Sequence, residues 1–368
     1  MRIVYLINRL DIHGGIEKIL SLKVNSLIRE YGYEITIITT SHKKGTPFLY
    51  PLEKNVEHID LDLRYLTDKS LFHPANILVI IKHYFKLKEK VRLLNPSIII
   101  SSGFSPEQYF LPFVFKSIPK IKELHFSGFI LKGQKFSLSK VFYNFLNKVY
   151  KKYDALVLLN KDEINYFPFK NVQVIPNFIP IDFDGIDFKR QKIIVAAGRI
   201  ADVKQFDHLI KAWGFIADQF QDWEVRIYGN GDTKLFKSLE SLIVDMEIPR
   251  ISLMGDTSLL QEELFRSSVY AMTSKNECFP MVLLEAQMAG LPVVSYNCPT
   301  GPGNIIENEI SGFLVEPQNI IEFSNKLKSL IEDELLRIEM GINARKNVNK
   351  YSTSEIIKKW NDLFLELV

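Results

Sequence analysis

Glu277 and Glu285 bracket the nine-residue run ECFPMVLLE, which places one carboxylate in a loop and the other about two turns into an apolar helix. Leu283, Leu284, Ala286 and Met288 surround the second acid. A carboxylate withdrawn from water without a partner costs several kcal/mol, roughly, so a buried Glu285 needs donors, and ligand hydroxyls would supply them. Pro280 suits the first turn of that helix, whose free N–H groups and positive end then face the same place as Glu277. The run suits a ligand that carries hydroxyls and an anion together, as a sugar nucleotide does.

Other residues could add to that chemistry. Arg199 and Lys204 flank a strand-to-helix turn in AAGRIADVKQFDHLI, where a guanidinium fork and a point charge could neutralise a diphosphate. Their alternative is a solvated pair near Asp202 and Asp207. Gly14 and Gly15 precede a helix in HGGIEKIL and allow close approach of backbone to phosphate, or serve only a turn. His125 ends the short segment KELHF and reads as structural or functional. Asp60 and Asp62 share a strand face in a pattern that elsewhere holds a divalent metal, but they lack a glycine loop and read as a strand end turning to solvent. CPTGPGNII, from Cys298, is a rigid turn leading into a short helix.

Positioning these residues requires an α/β chain. Strands are predicted near 2–7, 34–39, 56–59, 97–101, 120–124, 154–159 and 172–175, with helices near 15–31, 75–94 and 138–152. The alternation then restarts. Strands near 192–197, 223–228, 251–253, 268–272, 293–295 and 312–315 alternate with helices near 204–219, 233–246, 258–266, 281–290, 303–308 and 319–348. VIPNFIPIDFDGIDFKRQ, with Pro176, Pro180 and Gly185, reads as the linker between two domains. Ser352 to Val368 carries Ile356, Ile357, Trp360, Leu363 and Phe364 at helical spacing, so this terminal helix must dock somewhere. Ligands of open α/β sheets bind beyond the carboxyl ends of the strands, where Gly14, His125, Arg199, Gly229, Gly231, Gly255 and Glu277 all fall.

At 368 residues the chain suits two domains, and 46% hydrophobic with 24% charged residues argues against long disorder. Cys278 and Cys298 show no metal-ligand spacing and no disulfide framework, which suggests a reducing, cytoplasmic setting. The first apolar run is too short for a signal peptide or a spanning helix. Charge is unevenly divided: residues 1–180 hold 26 Lys/Arg against 15 Asp/Glu, and the remainder carries the opposite sign. Lys116, Lys120, Lys122, Lys132, Lys135, Lys140, Lys148, Lys151 and Lys152 cluster in the sequence, and SLSKVFYNFLNKVYKKYD reads as a helix that sets Phe142, Phe145, Leu146 and Val149 beside Lys140, Lys148, Lys151 and Lys152. This stretch, Lys116 to Lys152, suits an anionic membrane surface, or else it is a solvated face. Nucleic acid is not expected, because no recognition motif accompanies the charge.

Together these motifs, with VIPNFI and VRIYGNGD, resemble the retaining glycosyltransferases of family four over essentially the whole chain. The resemblance implies a GT-B fold of two facing Rossmann-like domains with parallel sheets. Residues 1–178 would bind acceptor, residues 179–351 would bind the nucleotide sugar, and helix 352–368 would cross back to the first domain. It implies that Arg199 and Lys204 hold the donor diphosphate, that Glu285 binds the ribose and that Glu277 contacts the donor sugar. Backbone N–H groups of Phe279, Met281 and Val282 would lie near sugar and phosphate. Gly14 or Gly15 would approach the diphosphate, His125 would lie beside the reacting sugar, and Gly229, Gly231 and Gly255 would meet the base. Pro280 stands where many members have glycine, and Asn304 stands where an acid is usual. The expected reaction moves a hexose or N-acetylhexosamine from UDP to a hydroxyl of a glycan or lipid-linked acceptor, without metal or cofactor, at or near the inner face of the membrane. An epimerase or hydrolase on the same scaffold, or a non-catalytic UDP-binding protein, are the competing readings.

Overall fold

A computed structural model describes residues 1–12, 14–66, 68–71, 73–133, 137–181 and 189–368. His13, Lys135 and Gly185 lie outside the described residues, as does the side chain of Lys140. The chain divides into two compact units, Met1–Asn177 together with Thr353–Val368, and Phe178–Ser352. Each is a doubly wound parallel α/β unit, and the terminal helix belongs to the first.

In unit 1 the chain runs β1 (Arg2–Ile7), α1 (Gly15–Tyr31), β2 (Glu34–Thr39), β3 (Glu57–Asp60), α2 (Pro74–Leu94), β4 (Ile98–Ser102), β5 (Lys120–Glu123), α3 (Gly128–Gly133), α4 (Ser137–Tyr150), β6 (Ala155–Leu158) and β7 (Val172–Val174). The described strands form one sheet in the order β3-β2-β1-β4-β5-β6-β7, with parallel pairing throughout. Near-continuous apolar strands such as RIVYLI are buried on both faces, as a helix-covered parallel sheet requires. Helix ends follow local chemistry. Gly32 stops α1 in the left-handed conformation at φ 63° and donates its N–H to Ile28 O, while Pro74 opens α2 behind His73.

Unit 2 runs β8 (Ile193–Ala197), α5 (Phe206–Gly214), β9 (Glu224–Tyr228), α6 (Thr233–Asp245), β10 (Ile251–Gly255), α7 (Leu260–Arg266), β11 (Val269–Met272), α8 (Met281–Met288), β12 (Val293–Tyr296), β13 (Gly312–Val315), α9 (Ile320–Glu332) and α10 (Glu334–Val348). Its strands order as β10-β9-β8-β11-β12-β13 and also pair in parallel.

Several expected helices are shorter than their periodicity suggests. The stretch 204–219 begins as a 3-10 turn at Asp202–Lys204, because Gln205 takes a left-handed conformation at φ 46°, and only then becomes α5. The stretch 319–348 breaks at Asp333, which is extended and uses its carboxylate to cap Leu336 N–H, starting a second helix. The turn after Cys298 yields only the 3-10 segment Pro302–Asn304, not a helix over 303–308.

The final helix α11 (Thr353–Leu367) packs on α1 within unit 1. Trp360, 3% exposed, lies under the Lys23 ammonium, 3.9 Å from the ring centroid. Tyr33 packs its ring against Phe364 at 6.3 Å and donates its hydroxyl to Asn361. Replacing Trp360 by Ala is expected to cost about 3–5 kcal/mol, the usual range for a buried aromatic. Urea unfolding of the full chain measures this, and a loss below about 1 kcal/mol would show that α11 is not a structural part of unit 1.

Candidate functional site

In unit 2 the loops after β8, β9 and β10 are stitched side by side. Gly198 N–H donates to Tyr228 O at 3.0 Å, Gly229 N–H to Gly255 O at 2.7 Å, and Ile200 N–H to Asn230 O at 2.9 Å. A Cβ on Gly229 would lie 1.9 Å from Gly198 O, and one on Gly231 would lie 2.3 Å from Ile200 O. These two glycines are therefore required by contact between loops. Gly255 differs: its φ is 73° and the space around it is open.

The loop after β8 is also tied to the end of β11. Thr273, just past that strand, donates its hydroxyl to Lys204 O at 3.0 Å and Gln205 O at 2.8 Å, and Lys275 N–H donates to Val203 O at 2.7 Å. That seam sets Lys204 Nζ 2.6 Å from Glu277 Oε1, with side chains 20% and 13% exposed. Lys204 thus pairs with neither Asp202 nor Asp207, the latter being engaged by Lys211 at 2.8 Å. Arg199 is exposed and has no side-chain partner among the described residues. From the other side, Thr300 Oγ1 donates to Glu277 O at 3.0 Å, and a Cβ on Gly301 would come within 2.6 Å of Glu277 Cβ.

Glu285 corrects the sequence reading in two respects. It is the fifth residue of α8, little more than one turn in, and it is half-buried rather than enclosed. Pro280 is the N-cap of α8 and not its first-turn residue, so the free N–H groups of Met281 and Val282 open the helix. Phe279 is buried against Tyr351, ring centroids 5.4 Å apart. Asn304 binds Thr300 O through Nδ2 at 3.0 Å and accepts the Tyr351 hydroxyl at its carbonyl. Burial pushes the Tyr270 phenol far above its ordinary value, and the charges of Glu277 and Glu285 add to that. Burial, with Glu277 next, likewise pushes the Cys298 thiol up to about 12, so it stays protonated.

The carboxyl edge of unit 1 holds a second cluster. Glu123, 1% exposed, receives Lys23 Nζ on Oε1 at 2.6 Å and His125 Nε2 on Oε2 at 2.9 Å. Burial alone would raise the Glu123 carboxyl, but Lys23 and His125 outweigh it and hold it at about 2. Burial lowers His125 against the pull of Glu123, so the ring is neutral near pH 7. A neutral imidazole that donates Nε2–H to a carboxylate keeps Nδ1 as an acceptor, which suits a ligand hydroxyl. At the start of α1, a Cβ on Gly14 would lie 2.0 Å from Glu17 Oε2, so this glycine makes room for a buried acid of its own chain; Gly15 has open space. Asp60 is a structural tie, accepting Thr39 Oγ1 at 2.6 Å, His42 N–H at 2.9 Å and Asp62 N–H at 2.9 Å.

Sequence reasoning missed Lys23, Glu123 and Thr273. A usable signal existed for Glu123: it sits two residues before His125, so on a strand both project from one face. Nothing local marks Lys23 or Thr273, whose partners lie 100 and 69 residues away. The pair in unit 1 is testable by pH. A carboxyl held at about 2 in the folded chain and near about 4.3 unfolded stabilises fully above the higher value and loses that contribution as pH falls toward the lower. Glu123→Gln, which leaves Lys23 buried and unpaired, is expected to cost about 3–5 kcal/mol at pH 7. The gap to the parent should narrow between about pH 4 and pH 2 in urea midpoints, and a gap independent of pH would contradict it.

Residues 179–347 match the family described as Glycosyl transferases group 1. The chain is 28% identical to the amylovoran biosynthesis glycosyltransferase AmsD of Erwinia amylovora, over 98% of this chain and 99% of that one. It is 26% identical to an alpha-1,4-N-acetyl-D-galactosaminyltransferase of Campylobacter jejuni named for a diphospho-undecaprenol-linked saccharide, over 100% and 99% of the two chains. Among solved structures, a mutant of S. aureus TarM in complex with Fondaparinux, alpha-GlcNAc-glycerol and UDP superposes with a TM-score of 0.80 at 18% identity, over 99% of both chains. Residues 179–347 are thus a glycosyl transferases group 1 domain, and the chain is a glycosyltransferase built on the paired Rossmann-like units of the GT-B fold.

Proposed function

We propose that the chain transfers a hexose or N-acetylhexosamine from a UDP-sugar to a hydroxyl of a glycan or lipid-linked saccharide, with retention and without metal or cofactor. The observation that carries this reading is the Lys204–Glu277 pair, fixed at 2.6 Å where β8 and β11 end, with the uncommitted Arg199 on the same loop. Lys204, Arg199 and the first N–H groups of α8, including those of Met281 and Val282, would stabilise the departing diphosphate. Phe279 N–H lies in the loop just before them. Glu277 would hold sugar hydroxyls and Glu285 the ribose, while the open backbone at Gly255, beside Gly229 and Gly231, suits the base. On unit 1, Gly14, Gly15 and His125 contribute to substrate binding at the carboxyl edge. In the transfer the bond from the anomeric carbon to the UDP oxygen breaks, the acceptor oxygen bonds to the same face, and the acceptor proton passes to the departing phosphate oxygen. UDP in the TarM complex supports the choice of nucleotide.

A screen of UDP- and GDP-sugars with mass detection, beside Lys204→Ala and Glu285→Ala, tests the assignment. Lys204→Ala is expected to lower kcat by about 100- to 1000-fold, as loss of one transition-state donor does. Glu285→Ala with full turnover and full UDP affinity would sink the reading. Turnover should persist in EDTA, and the product's anomeric proton should report the donor's configuration.

Among the described residues no helix is long and apolar enough to cross a membrane. We propose peripheral contact with an anionic bilayer, on surfaces that differ from those the lysine count suggests. Lys120 and Lys122 are buried, 4% and 0% exposed, and Leu146 and Val149 belong to the core. The outward face of α2 instead presents Ile77, Leu78, Ile81 and Phe85, exposed by 43, 64, 48 and 63%. The turn Pro106–Tyr109 lies between α2 and α4, where Val141 and Phe145 are also exposed near Lys148. Co-sedimentation with phosphatidylglycerol vesicles at low salt should capture the protein, and Leu78→Asp with Phe85→Asp should release it. No capture of the parent chain would remove the bilayer from the proposal.

A further inference from the structure

At the carboxyl ends of β2 and β3 in unit 1 lies a cavity of about 840 Å³ that no role above uses. One wall consists of three rings. Phe48 meets His42 at 5.4 Å and His58 at 5.0 Å between centroids, and the two imidazoles meet at 5.1 Å. Both imidazoles are fixed by the backbone and side chains behind them. His42 accepts Leu10 N–H on Nδ1 at 3.3 Å and donates from Nε2 to Thr46 O at 3.1 Å. His58 Nε2 lies 2.9 Å from Thr39 Oγ1, and that hydroxyl gives its own proton to Asp60 at 2.6 Å, so the imidazole is the donor. Its Nδ1 is then an acceptor, on a ring that lines the cavity.

The rim is cationic. Lys43, Lys44 and Arg64 are exposed and have no ion-pair partner among the described residues. Arg9 contrasts with them, because Asp11 holds it through two hydrogen bonds of 2.7 Å. Of the two acids in the lining, Asp60 is committed to three internal donors and Asp62 is exposed, so the three cations outnumber the one exposed carboxylate. Rings that can lie along the C–H face of a sugar, an imidazole acceptor for a hydroxyl, and three uncommitted cations answer one kind of ligand. A bare phosphate has no use for the rings, and a neutral sugar leaves the net positive charge of the lining unanswered.

We propose that this cavity is the acceptor subsite and that it takes a saccharide bearing a phosphate or carboxylate group. The assignment of its occupant as acceptor rests on the transferase reading above. The test is calorimetric titration of the full chain, saturated with UDP to occupy the nucleotide site, with glucose 1-phosphate, methyl glucuronide, methyl glucoside and inorganic phosphate. One or both charged saccharides should bind at least about tenfold tighter than methyl glucoside and phosphate, as one hydrogen bond to a charged group provides, and which of them binds identifies the anion. The triple variant Lys43→Ala, Lys44→Ala, Arg64→Ala should abolish that preference while leaving UDP affinity and UDP-sugar hydrolysis unchanged. Phe48→Ala should weaken the saccharides but not phosphate. Equal binding of methyl glucoside, or a preference that survives the triple variant, overturns the proposal. Charged-saccharide binding that follows this pattern while the parent consumes no nucleotide sugar supports the cavity and counts against the transferase reading instead.

Discussion

One carboxylate at the carboxyl end of β5 ties the elements of unit 1 to one another. Glu123 lies where water does not reach, and its charge is tolerable only because Lys23 from α1 and His125 from its own strand end meet it within hydrogen-bond distance. Lys23 is itself sheltered by Trp360 of α11. The terminal helix, the first helix and the central sheet therefore share a single charge-compensated centre, and the orientation and tautomer of His125 follow from it. The neighbouring Lys122 points to the opposite face of the strand and solves the same problem there, donating to Ser101 and to Gly103 O near Glu107. Burial lowers it to about 8 against the pull of Glu107 and Glu123. A buried pair of this kind adds little net stability compared with an apolar core, but losing one partner is costly. It specifies where α1 and α11 must sit.

Unit 2 positions its chemistry differently, with neutral seams around one partly exposed pair. Thr273 and Lys275 pin the loop that carries Arg199 and Lys204, and Thr300 with Gly301 presses on Glu277 from behind. Lys204 and Glu277 are then held ready at low cost, because each screens the other until a ligand with both hydroxyls and phosphates competes for both. A diphosphate can take the cation and a sugar hydroxyl can take the carboxylate in one binding event. That reciprocity is a physical reason for placing the two side chains in contact.

The α/β alternation, the restart after the middle of the chain and nearly every strand were legible because a parallel strand buried on both faces is a short apolar run between turn residues. Helix lengths were less so. Gln205 and Asp333 interrupt apolar periodicity that reads as continuous, and only a left-handed φ or a capping carboxylate reveals the break. Among the candidate site residues, Lys204 and Glu277 could be named from type and spacing, yet their mutual contact spans 73 positions and no local pattern encodes it. Glu285 looked enclosed because its sequence neighbours are apolar. On a helix those neighbours point elsewhere, and one face remains half-open.

The charge asymmetry illustrates the same limit and also its use. The excess of basic residues in the first half suggests a uniformly positive surface, but Lys23, Lys120 and Lys122 are spent inside the fold. Subtracting them leaves exposed cations in discrete places: around the ring-lined cavity beyond β2 and β3, and near the apolar faces of α2 and α4. A screened surface charge acts over about 8–10 Å at ordinary ionic strength, so local grouping matters more than the sum. Cations grouped over aromatic rings in a concavity can select a discrete anionic ligand, whereas cations spread beside exposed Leu78 and Phe85 can only favour an extended anionic surface. The two groups are separate consequences of one composition, and the apolar side chains beside each set distinguish them.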